Sequence, residues 1–289
     1  MRPPYDRLLD DEMQAFVRET EAFDAPPGSD IAAVRAAYDA MCAHFRAARP
    51  AGLAVRDETI GGVACRRYGA GDVTVLYLHG GGFVMGGLDS HDDVCAEIAE
   101  RTGCTVVSAD YGLSPEHPHP TAYDDALAVF DALRGPVVLC GDSAGATLAA
   151  SIAQVRKDAA GVALIYPGLG AGAGTPSMLE HAEAPLLTRA EVLAYSGIRG
   201  GSDDDPTHRP LAATDLSGHP PIFVSGASCD PLNDDGAVYC ERVRAAGGEA
   251  EFVSEPGLVH GHLRARHRSK RAREAFDRIV ASVERFAQT

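Results

Sequence analysis

Closely spaced cysteine pairs are missing from this chain. Its seven cysteines, an odd number, lie scattered at 42, 65, 95, 104, 140, 229 and 240 with no CxxC among them. That pattern argues against a zinc site and against a disulfide framework, and it fits reduced thiols in a cytoplasm. Positive charge is scarce as well: 26 Lys and Arg face 41 Asp and Glu, a formal net charge of −15, so no nucleic-acid partner is expected. The one basic cluster, Arg264-Ala265-Arg266-His267-Arg268-Ser269-Lys270-Arg271, reads as the solvated face of a terminal helix. No apolar run is long enough to span a membrane unbroken. The longest uncharged stretch, Ala159 to Leu179, is interrupted by Pro167, Pro176 and several glycines, and reads as a strand followed by a loop. Met1-Arg2-Pro3-Pro4-Tyr5-Asp6 leads into charged helix instead of an apolar segment, so no secretion signal is visible and a cytoplasmic location is expected. Internal repeats and low-complexity tracts are also lacking.

What is present is enough for a large core: 289 residues, 45% of them hydrophobic. Residues 1–50 hold two helical stretches, Leu8 to Phe23 and Ser29 to Ala48, with Ser29 or Asp30 placed to cap the second. From Val55 the pattern changes. A short antiparallel pair comes first, and then strands at Val73 to Leu78, Thr105 to Ala109, Val137 to Cys140, Gly161 to Tyr166, Pro221 to Gly226 and Glu249 to Ser254 alternate with helices. Such alternation predicts an α/β fold with a mostly parallel sheet covered on both faces. The alternation pauses at 168–219, a stretch rich in Gly, Pro, Asp and Ser with one helical piece near Thr188 to Ser196.

Chemistry concentrates where strands end, because ligands of a parallel sheet bind at the carboxyl ends of its strands. Gly141-Asp142-Ser143-Ala144-Gly145 follows one strand and opens a helix, which predicts a sharp turn with Ser143 at its apex. Asp230 follows a second strand and His260 a third. A serine hydroxyl is a poor nucleophile near neutral pH, so an imidazole must take its proton and a carboxylate must orient the imidazole. His262 and His267 compete with His260, as Asp234 and Asp235 do with Asp230. Position favours the residues directly after the strands. The run His79-Gly80-Gly81-Gly82-Phe83 supplies backbone N–H groups with no side chain in the way, and Gly80, Gly81 and Ala144 are the expected oxyanion donors, with His79 bracing the loop.

Together with Asp110-Tyr111, Ser114-Pro115-Glu116, Cys229-Asp230-Pro231-Leu232 and His260-Gly261, these motifs resemble the hormone-sensitive-lipase-like branch of the α/β-hydrolases, and within it bacterial acetyl esterases and other short-chain carboxylesterases. The resemblance covers about residues 55 to 285. It implies an α/β-hydrolase core over 51–289 and a helical cap made of residues 1–50 with an insertion from 168–219. It implies a serine esterase with Ser143 as nucleophile, His260 as base and Asp230 as orienter, needing no cofactor and no metal. Homodimers are common in that family. Small amides or formamides are alternative substrates, and a small-molecule receptor on the same scaffold is a further reading that the complete triad disfavours.

Overall fold

The computed structural model describes residues 3–288, so Met1, Arg2 and Thr289, which belong to the ends of the segments expected above, lie outside the described residues. In chain order the elements are α1 (Tyr5–Leu8), α2 (Asp11–Glu21), α3 (Ile31–Phe45), β1 (Val55–Ile60), β2 (Val63–Tyr68), β3 (Thr74–Leu78), α4 (Asp92–Thr102) and β4 (Thr105–Ala109). They continue with α5 (Thr121–Ala132), β5 (Val137–Asp142), α6 (Ala144–Val155), β6 (Gly161–Ile165), α7 (Pro176–Glu180), α8 (Arg189–Arg199), β7 (Ile222–Cys229), α9 (Asn233–Ala245), β8 (Ala250–Val259) and α10 (Lys270–Ala287). The eight strands form one sheet in the order β1-β2-β4-β3-β5-β6-β7-β8. β2 pairs antiparallel with both β1 and β4, and every other pairing is parallel. This is the fold of an α/β-hydrolase.

Central strands such as β3, β4, β5 and β6 are buried at every position, which is why they read as unbroken apolar runs. One face of the sheet is covered by α5, α6 and α9, through Ala126, Val129, Leu148, Ile152, Tyr239 and Val243. The other carries α4 and α10, through Val94, Ile98, Phe276, Ile279, Val283 and Phe286. Each large side chain removed from water on these faces contributes about 1.5–3 kcal/mol. α10 also sets the spacing at the edge of β6, since a Cβ on Gly161 would stand 2.2 Å from the Phe286 ring.

The N-terminal helices form a separate small core. Met13, Phe16 and Phe45 pack with Ala184, Leu258 and Val259, so residues from α2 and α3 lie against the end of β8 and against the 168–219 segment. Asp30 caps α3 by accepting the Ala33 N–H at 2.8 Å. The 168–219 segment contains α7 as well as α8; α7 is capped by Thr175, and its Ser177 N–H donates to Asp234 at 2.8 Å.

The basic cluster is a solvated face only in part: His267, Arg268, Lys270 and Arg271 are exposed, whereas its first two arginines are not. Arg264 and Arg266 lie in a short 3₁₀ turn, His262–His267, and both are buried. Arg266 pairs with Asp93 and, at 2.8 Å, with Glu97, both on α4, while Arg264 donates to the Ser90 carbonyl. Arg266 is drawn inward here by acids some 170 residues away. All seven cysteines are free and buried.

Candidate active site

β5 ends at Asp142 and α6 begins at Ala144, which leaves Ser143 alone on the turn. Its backbone sits at φ 51° and ψ −117°, a strained conformation for a residue with a side chain. The flanking glycines are required by space. A Cβ on Gly145 would lie 1.9 Å from the Leu78 carbonyl oxygen, and one on Gly141 would lie 2.7 Å from the Gly145 carbonyl carbon. The Ser143 N–H donates to the Ile165 carbonyl at 2.9 Å, which ties the turn to the neighbouring strand.

The loops after β7 and β8 bring the partners. His260 Nε2 stands 2.8 Å from Ser143 Oγ, and His260 Nδ1 stands 2.6 Å from Asp230 Oδ2. Asp230 is fully buried and also accepts the Leu232 N–H at 2.8 Å. An ionised carboxylate can only accept, so Nδ1 carries the hydrogen and Nε2 presents its lone pair to the serine hydroxyl. Tyr166 packs its ring against the imidazole with centroids 4.6 Å apart. The competing residues are engaged elsewhere: His262 Nδ1 faces the Val259 carbonyl at 3.1 Å, and His267 pairs with Glu97 at 3.0 Å. Asp234 holds Ser177, and Asp235 accepts the N–H groups of Leu169 and Gly170 at 2.6 and 2.8 Å. Burial pushes the Asp235 carboxyl up to about 6 despite those donors.

Gly80 requires a correction. Its N–H already donates to Asp142 Oδ1 at 2.9 Å, and a committed N–H has nothing left for an oxyanion. Among the described residues no hydrogen-bond partner is found for the N–H groups of Gly81 and Gly82, and Gly82 and Ala144 line the same cavity as Ser143. Sequence reading passed over Asp142, although it stands inside the nucleophile motif. It is buried, accepts the Tyr77 hydroxyl at 2.8 Å and lies 3.1 Å from His91 Nε2, so it fastens the glycine loop to the nucleophile turn. Burial alone would raise its carboxyl, but the neighbouring His91 and Arg264 hold it well below the usual carboxylate range. His79 is stacked on Tyr111 with centroids 4.3 Å apart, and its Nδ1 faces the Gly80 carbonyl at 2.8 Å, so it braces the loop from beneath.

In front of Ser143 lies a cavity of about 150 Å³. Leu187, Val192, Leu193 and Tyr195 of the 168–219 segment give it an apolar wall, opposite Gly82 and Ala144. A Cβ on Gly82 would stand 2.9 Å from the Tyr195 ring, so the glycine loop and that wall are in close contact. Among the described residues no group of three or more His, Cys, Asp or Glu is placed to hold a metal ion, and no helix is long and apolar enough to cross a membrane.

Known proteins share this architecture. The family model for the alpha/beta hydrolase fold matches residues 75–264. The chain is 38% identical over 235 residues to the carboxylesterase NlhH of Mycobacterium tuberculosis, which covers 73% of each chain. It is 33% identical over 232 residues to the ethyl acetate hydrolase of Pseudomonas putida, covering 73% of this chain and 72% of the relative. Among solved structures, an esterase of the archaeon Pyrobaculum calidifontis superposes with a TM-score of 0.88 at 29% identity, over 97% of this chain and 99% of the other.

Proposed function

The chain belongs to the α/β-hydrolase family, and from that premise we propose that it is a serine carboxylesterase hydrolysing short-chain acyl esters through an acyl-enzyme. The observation that carries this reading is the continuous relay from Asp230 through His260 to Ser143, at 2.6 and 2.8 Å, opening on an apolar cavity. Ser143 Oγ attacks the ester carbonyl carbon as His260 Nε2 takes its proton. Negative charge then collects on the former carbonyl oxygen, where the N–H groups of Gly81, Gly82 and Ala144 receive it. His260 returns the proton to the departing alkoxide, which leaves as the alcohol. Water, deprotonated by the same imidazole, attacks the acyl-enzyme and releases the acid and the serine.

Two observations support a short acyl chain. A cavity of about 150 Å³ has roughly the room of one that holds a benzene-sized molecule. The Pseudomonas putida relative is an ethyl acetate hydrolase. We assign residues 1–50 and 168–219 to a cap, on the strength of their shared core and the cavity wall that the second segment supplies.

Hydrolysis of p-nitrophenyl esters from acetate to decanoate, with Ser143→Ala measured beside the parent, tests the reading. Rates peaking at two to four acyl carbons and lost in the variant are expected. A parent inactive on every ester overturns the esterase assignment, and a peak at eight or ten carbons overturns the short acyl pocket.

A further inference from the structure

Acyl transfer leaves one cavity residue without a task. Arg199, the last residue of α8, is 4% exposed and lines the cavity that holds Ser143. Its guanidinium lies over the Phe83 ring, with Cζ 3.7 Å from the centroid, next in sequence to Gly82. Nη1 donates to the His208 carbonyl at 2.8 Å and Nη2 to the Thr207 carbonyl at 3.2 Å. Nε is buried and has no partner.

The acids nearby are all engaged elsewhere. Asp205 pairs with His119 at 3.0 Å, and Asp203 pairs with Arg209, the other arginine on the cavity lining, at 2.7 Å. Asp235, the carboxylate among the described lining residues, turns to the backbone N–H groups of Leu169 and Gly170. No carboxylate pairs with Arg199 among the described residues. Burial draws its guanidinium down to about 9, so it keeps its charge at neutral pH. A buried cation with no direct ion-pair partner is costly, and the more distant Asp205 charge, the stacking on Phe83 and the two carbonyl contacts recover only part of that cost. A purely structural pin for the 200–209 loop accounts for Nη1 and Nη2. It leaves the missing ion-pair partner and the idle Nε unexplained.

We infer that Arg199 is an anion subsite of the cavity, so that the esters this enzyme prefers carry a carboxylate within a few bonds of the scissile carbonyl. The planar fork of a guanidinium matches the two oxygens of a carboxylate, and because Nε is buried the side chain must shift to present its N–H to the ligand. The inference rests on the esterase reading for turnover, though not for binding.

The test pairs anionic esters with neutral ones of similar shape: ethyl hydrogen adipate with ethyl heptanoate for a carboxylate on the acyl side, and 4-acetoxybutanoate with pentyl acetate for one on the alcohol side. Hydrolysis is followed by pH-stat at pH 7.5 for the parent, Arg199→Met and Arg199→Lys. The parent should prefer the anionic member of one pair, chiefly through KM. Arg199→Met should lower that ratio of kcat/KM by about 10- to 100-fold, the worth of a charge-assisted hydrogen bond. Arg199→Lys, which keeps the charge and loses the fork, should fall between, and it serves if the methionine variant does not fold. Absence of any anionic preference in the parent, or an equal loss on both members in Arg199→Met, overturns the inference. Calorimetric titration of adipate reads the same subsite without turnover. If none of the four esters is cleaved, the esterase reading fails, while adipate binding lost in Arg199→Met still sustains the subsite and equal binding in both proteins overturns it.

Discussion

Acidification should destabilise this protein already between about pH 7 and 5, above the range in which ordinary carboxylates titrate. His79, His219 and His262 are buried, and burial draws each imidazole down to about 4. All three make the same local contact: Nδ1 faces a backbone carbonyl, of Gly80 at 2.8 Å, Pro220 at 2.7 Å and Val259 at 3.1 Å. A carbonyl only accepts, so Nδ1 holds the single proton of a neutral ring. Among the described residues no hydrogen-bond partner is found for His79 Nε2, and His219 Nε2 faces the Tyr239 hydroxyl at 3.0 Å, so no carboxylate touches either atom to favour a second proton. In the unfolded chain a histidine titrates near 6.5, so between about pH 6.5 and 4 the unfolded state binds more protons than the folded one. The stability present above that window is therefore lost as the pH falls through it. From pH 7 to pH 5 each site removes roughly 2 kcal/mol, about 5 kcal/mol for the three, against the 5–15 kcal/mol by which domains are usually stable. In mid-window the three sites together give a slope of about 4 kcal/mol per pH unit, and Asp235, raised to about 6 in the folded state, offsets about 1 kcal/mol per pH unit of it. The chain has no tryptophan, so urea unfolding at pH 7, 6, 5.5 and 5 is followed by far-UV circular dichroism. His219→Gln, whose amide can still donate to the Pro220 carbonyl and accept from the Tyr239 hydroxyl, should lower the slope by about 1 kcal/mol per pH unit. A parent slope below about 1 kcal/mol per pH unit, or one that His219→Gln leaves unchanged, refutes the reasoning.

Two further outcomes are expected. Asp230→Asn should fold normally by circular dichroism and lose up to about 10⁴-fold in kcat, because an amide facing Nδ1 selects the wrong imidazole tautomer; a loss under tenfold would show that His260 does not depend on Asp230 for its orientation. Arg266→Met should cost about 3–5 kcal/mol in urea unfolding, since it strands the buried Asp93 carboxylate without its partner; a cost below about 1 kcal/mol would return Arg266 to the solvated surface that the sequence suggested.

How far sequence reading reached depends on whether the deciding interaction is local. β4 and α10 lie at Thr105–Ala109 and Lys270–Ala287, where the apolar run and the helical period put them, because burial of a whole strand or one helix face is written into consecutive residues. β8 runs on to Val259 instead of stopping at Ser254, and the reason is remote. Pro256-Gly257 reads as a turn, yet the strand continues through it, and Glu255 just before is buried against Ser225 on β7 and Arg278 on α10. The short helix α7 escaped notice although Thr175 and Pro176 form a local helix start, because they stand in a segment that reads as loop; the reciprocal contacts of Ser177 with Asp234 secure that start from a distance. The same division runs through the site. Ser143, Asp230 and His260 stand within hydrogen-bond reach of one another because each follows a strand, and strand ends are legible in sequence. Which glycine N–H is free is a different kind of question. All three glycines after His79 have the same chemistry, and only the Asp142 carboxylate, arriving from the nucleophile turn 62 residues away, takes Gly80 out of use. Its position inside the Gly-Asp-Ser sequence was the available signal, because an acid held at the base of a buried turn must find donors, and the N–H groups of the facing glycine loop are the nearest supply.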